Sequence, residues 1–162
     1  MKRIFLALAA LLPFSASAAV NCDQAIRLDA ANKLVGGKWL STATKEKKNG
    51  SYECSFSLTG GGGELVLTKA HGKANHTLKS GTESRLKGVG TSASYFKDTP
   101  TGETPVRGVH AIAQDGNQYL IELTLKKNVD DAAIKTYLVD TITALAGAAP
   151  APETKAQATP KR

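Results

Sequence analysis

The sequence predicts an α+β domain: an antiparallel sheet of about five to six strands packed by N- and C-terminal helices. Three observations point there. The middle of the chain alternates polar and apolar residues with a two-residue period, clearest at 51–58 and 118–126. Both ends of the same region carry helical patterns, at 29–37 and 130–147. Between the alternating runs lie turn signals, Asn49-Gly50, Gly60 to Gly63 and Asp115-Gly116-Asn117, which favour hairpins over parallel crossovers.

Taken in order, the first 18 of the 162 residues read as an export signal. Lys2-Arg3 precede an apolar run over 4–14, and Ala16-Ser17-Ala18 is a small-residue cleavage pattern. The run falls short of the roughly 20 residues that span a bilayer. Ala19, Val20 and Asn21 separate the cleavage point from Cys22, so Cys22 does not occupy the first mature position that lipoprotein processing requires. The expectation is a signal peptide over 1–18, cleavage near Ala18, and a periplasmic or secreted protein with no transmembrane segment.

The domain is expected over 19–147. Residues 29–37 form a short helix, or the end of a longer one, that Gly36-Gly37 terminate. A strand at 39–44 and a charged turn at 45–50 lead into the strand 51–58. There Tyr52, Cys54, Phe56 and Leu58 share one face, and Ser51, Glu53, Ser55 and Ser57 the other. A glycine turn precedes a strand at 64–69. The polar stretch 71–87 reads as loop plus a weak helix near 75–87. A strand at 92–97, a Pro/Gly/Thr loop at 98–105 and strands at 106–114 and 118–126 follow. Asn128 or Asp130 caps the last helix, whose stripe is Ile134, Leu138, Thr141, Ile142 and Leu145, and Gly147 stops it. The Ala/Pro/Lys composition of 148–162 predicts a disordered tail.

Cys22 and Cys54 are the only cysteines. An even count in an exported chain predicts a disulfide. A metal or thiol-catalytic role is disfavoured because there is no CxxC and no His within ten residues of either.

Few residues suggest chemistry. A phosphate-binding loop needs GxxxxGK[ST] before a helix, whereas Gly60 to Gly63 precede Glu-Leu-Val-Leu, a strand. A small metal-dependent hydrolase would have to use His71, His76 or His110, the only histidines. There is no GxSxG, and Asp130-Asp131 are explained by helix capping. A non-enzyme without cofactor or metal is therefore expected.

Charge is more informative. The formal net charge is +7, and removing Lys2 and Arg3 would leave +5. Lys69, Lys73, Lys79, Arg85 and Lys87 face only Glu83 between 65 and 87, and Lys45, Lys47 and Lys48 surround Glu46. Together these eight cations are a candidate basic surface for an acidic protein or an anionic envelope polymer or lipid. Nucleic acid is not expected, because no aromatic residues interleave the basic segment for base stacking. Trp39, Tyr95 and Phe96 are candidate interface anchors: Trp39 follows a Gly-Gly-Lys turn, and one of the adjacent Tyr95 and Phe96 must point away from the core.

Cys22, Leu34-Val-Gly-Gly37, Tyr52-Glu-Cys54, Gly88-Val-Gly90, the strand 91–96 and the helix 134–145 occur in an order that resembles small exported bacterial domains of unknown function, many of them actinobacterial lipoproteins. The resemblance implies a two-cysteine α+β domain with a disulfide and supplies no catalytic residues. The expected function is a non-catalytic periplasmic binding or interaction protein. An immunity protein or an inhibitor of an envelope-attacking enzyme is an alternative, and the metal-dependent hydrolase is another.

Overall fold

The computed structural model describes residues 20–72, 81–99 and 104–148. The expected signal peptide and all but the first residue of the expected tail lie outside them. Within them the chain forms α1 (Cys22–Ala25), α2 (Leu28–Val35), β1 (Trp39–Glu46), β2 (Tyr52–Leu58), β3 (Gly63–His71), β4 (Gly81–Leu86), β5 (Ser92–Asp98), β6 (Val106–Ile112), β7 (Asn117–Leu125) and α3 (Asp131–Ala146). All the strand pairs are antiparallel, in the order β1-β2-β3-β7-β6-β5-β4.

The α+β class with helices at both ends is as expected, but the described residues hold seven strands rather than five to six. The additional strand is β4, in the stretch read as a weak helix. Its sequence, Gly-Thr-Glu-Ser-Arg-Leu, has too little apolar periodicity to declare either element. Six consecutive partners on β5, from Gly81 opposite Asp98 to Leu86 opposite Ala93, decide it.

Two-residue alternation puts Cys54 and Phe56 of β2, Leu65 and Leu67 of β3, Val109 and Ala111 of β6, and Tyr119, Ile121, Leu123 and Leu125 of β7 on one face. That face is buried under the helices. α3 lies over β6 and β7 and packs beside α2. It contributes Ile134, Tyr137, Leu138, Thr141, Ile142 and Ala146, and Leu145 packs at the margin. Each fully buried Leu or Ile in this layer contributes roughly 1.5–3 kcal/mol. Asp130 caps α3 by accepting from the Ala133 amide at 3.1 Å. Gly147 ends the helix at φ 80°. Ala148, expected to begin the tail, instead pairs with Val89.

The expected disulfide is present between Cys22 and Cys54, with Cα atoms 5.8 Å apart. It ties the start of the helical layer to β2. Tyr137 adds a second tie, donating its hydroxyl to the Ile26 carbonyl at 2.6 Å. Arg27, between α1 and α2, is the only non-glycine with positive φ among the described residues, at 54°, and its guanidinium meets Asp140 of α3 at 3.5 Å.

Two of the candidate interface aromatics are corrected here. Trp39 is 2% exposed. Its backbone amide donates to the Asn32 side chain at 2.8 Å and its indole Nε1–H to the Ala31 carbonyl at 3.2 Å, so α2 closes over the ring. Phe96 faces away from the helices, yet it is fully buried. Its partner on β6 is Gly108, and the aromatic ring lies against that bare backbone. Tyr95, on the helical face, stays half-buried, with Lys135 Nζ 5.0 Å from its ring centroid.

Candidate functional site: a basic groove at one end of the sheet

The β1–β2 turn carries Lys47 and Lys48, and Asn49 organises it by accepting from the Ser51 amide at 3.1 Å. The turn ends beside the C-terminal end of β3, because β2 pairs with both β1 and β3. Two segments separated in sequence thereby meet. A groove of about 330 Å³ is lined by Lys45, Lys47, Ser51 and Glu53 from the first hairpin and by Thr68, Lys69 and His71 from β3. Gly50 lies close to the His71 imidazole: a Cβ at Gly50 would be 3.6 Å from Nε2.

The charges in this groove are arranged unevenly. Lys45 and Glu53 form an exposed ion pair at 2.8 Å, which neutralises one lysine. Lys47, Lys69 and the adjacent Lys48 leave the region cationic. Lys69 lies over the Tyr52 ring, 6.0 Å from its centroid. Burial, with a smaller contribution from nearby Tyr119, pushes the Tyr52 phenol up to about 12. Tyr52 is therefore a neutral hydrogen-bond donor at any physiological pH. Ammonium groups, hydroxyls and an imidazole around a shallow concavity suit an oxyanion.

The six described cations of the expected basic surface do not form one patch. Lys45, Lys47, Lys48 and Lys69 gather at this groove. Arg85 and Lys87 belong to the far edge, because β7, β6 and β5 intervene between β3 and β4. Four inter-strand steps amount to about 19 Å. Lys73 and Lys79 lie outside the described residues. The high local charge of 65–87 is therefore divided by topology.

The two described histidines, His71 and His110, lie on opposite faces of the sheet. His71 lies on the helical face of β3, two residues from Lys69, which stands opposite core-facing Tyr119. His110 lies on the other face of β6, where its Nε2 is 3.0 Å from Gln118 Oε1. His76 lies outside the described residues. Among the described residues no group of three His, Cys, Asp or Glu side chains is placed to hold an ion.

Two features escaped the sequence reading. On the sheet face away from the helices, burial and then the nearby Glu64 raise the Glu122 carboxyl above its usual range. At the start of α3, Asp131 accepts from Lys97 Nζ and from Arg107, each at 2.6 Å. The Lys97 hydrogen bond, followed by that from Arg107, lowers the Asp131 carboxyl. Both features depend on strand order, for which no sequence signal exists. Among the described residues no helix is long and apolar enough to cross a membrane. Comparisons of the chain with protein-family models, curated proteins and solved structures return no match.

Proposed function

We propose that this is an exported, non-catalytic binding protein that engages an anionic envelope component through the groove around Lys47, Lys69 and Tyr52. The observation that carries the reading is that Lys45 and Lys47 of the first hairpin and Lys69 of β3 line one concavity. Export is supported by the N-terminal signal pattern and is compatible with the disulfide. The resemblance to exported two-cysteine domains points the same way.

The test is cosedimentation with phosphatidylglycerol vesicles, phosphatidylcholine vesicles and purified lipopolysaccharide, at low and high salt. Binding is expected to the anionic probes only and to fall with salt. Each lysine at an anionic surface contributes about 1 kcal/mol. The Lys47→Glu/Lys69→Glu variant should therefore bind at least about thirtyfold more weakly. Lys38→Glu/Lys126→Glu makes the same charge change at the opposite end of the strands and should bind nearly as the parent does. Equal losses in the two variants, or no binding to either anionic probe, would overturn the proposal.

A further inference from the structure

The two edges of the sheet are built differently. β1 is defended against pairing with another chain: its register with β2 shifts between Ser41 and Ala43, and Thr42 Oγ1 donates to the Ser55 carbonyl at 3.0 Å. Such a bulge disrupts the ladder that an incoming strand would extend. β4 also has a hydroxyl contact to its partner, Ser84 Oγ donating to the Tyr95 carbonyl at 3.5 Å, but it has no shift of register. Its six pairs with β5 run without a shift, it contains no proline, and residues 81–85 are all exposed. A regular strand edge without a bulge is a template for another strand.

The sequence of β4 specifies which strand fits. Glu83 and Arg85 are two residues apart, so they lie on the same face, opposite Phe96 and Ser94 of β5. Suppose a second β4 runs antiparallel with a twofold axis at Ser84. Glu83 of each copy then stands directly opposite Arg85 of the other, and Thr82 stands opposite Leu86. One register satisfies both charges twice, as an isologous interface requires. We infer that the protein self-associates through β4, joining two seven-stranded sheets into one continuous antiparallel sheet, with two Glu83–Arg85 cross-strand pairs setting the register. Six residues from each copy make a small interface, so the dimer is weak and concentration-dependent. Arg85 thereby has a role separate from the basic groove, at the other end of the strand order.

Sedimentation-velocity runs on the full mature chain over a wide concentration range test this. The parent should move reversibly from monomer to dimer. Glu83→Arg sets Arg against Arg across the axis, and Arg85→Glu sets Glu against Glu. Each variant alone should dimerise about tenfold or more weakly. Mixed in equal amounts, the two should form a heterodimer, because every cross-strand pair is then again Arg with Glu. Circular dichroism of each variant separates loss of pairing from loss of folding, and the recovery on mixing can come only from folded chains. A parent that stays monomeric at the highest concentration would overturn the inference. So would a dimer unaffected by either reversal, or a mixture that stays monomeric.

Discussion

Replacing both cysteines, Cys22→Ala and Cys54→Ala, removes the bond that ties the helical layer to β2. The cysteines are 32 residues apart, so the closed loop of about 33 residues restricts the unfolded chain by about 12.5 cal/mol/K on the loop-closure model, or about 3.7 kcal/mol at room temperature. A domain of about 129 residues unfolds with an entropy near 270 cal/mol/K, which converts that loss to a fall of about 14 °C in Tm. Both sulfurs are buried, Cys54 fully and Cys22 at 7% exposure. Small cavities left by alanine would therefore deepen the loss. Trp39 is the natural probe: it is the only tryptophan, it lies inside the closed loop, and it is buried. Its emission should shift to the red in one transition at the lower temperature, together with the far-ultraviolet dichroism. A fall of less than about 3 °C would refute the reasoning, because the loop would then be held just as well by α2 and Trp39 alone. A Trp39 transition well below the loss of the sheet would show that the helical layer melts separately.

The Asp131 cluster gives a pH-dependent prediction. Its lowered carboxyl pKa means that the folded state favours the ionised form. The contribution is complete above the ordinary carboxylate range and is lost as pH falls through the lower folded value. Asp131→Asn should cost at most about 1 kcal/mol at neutral pH, since the group is half-exposed. It should cost nothing measurable at pH near 2; urea denaturation at both pH values checks this, and an equal cost at both would refute it. Gly108→Ala places a Cβ 2.6 Å from Phe96 Cε1 and 2.7 Å from the Ile121 carbonyl. It should destabilise by about 1–3 kcal/mol in the same assay, as overpacking does, and an unchanged midpoint would show that Phe96 does not lie over that glycine.

Much of the fold was legible because it is local. The alternation over 51–58 and 118–126, the Asn49-Gly50 and Asp115-Gly116-Asn117 turns and the cap at Asn128 or Asp130 act over a few residues; they produced β2 (Tyr52–Leu58), β7 (Asn117–Leu125), the turns before them and α3, capped by Asp130. β4 was not legible, because the strand has no apolar residue before Leu86 and exists by pairing with β5. Phe96 was read as a surface residue if Tyr95 faced the core. Its burial depends on Gly108, twelve residues later, standing opposite it. Trp39 was misplaced because the fold of α2 back over β1 is not written in either segment alone.

The candidate site divides along the same line. From sequence alone came the lysine clusters, the paired cysteines and the absence of familiar catalytic motifs, since these depend on residue type and spacing. Tertiary structure alone decided which cations act together. Strand order brings Lys69 to the same end of the sheet as Lys45 and Lys47 yet sends Arg85 and Lys87 to the far edge, although Lys69 and Arg85 are the closer pair in sequence. Antiparallel pairing brings a residue close to its cross-strand neighbours whatever their separation in the chain. Electrostatic interaction follows that spatial distance, so a charge cluster in the sequence became a groove at one edge of the sheet and a pairing code at the other.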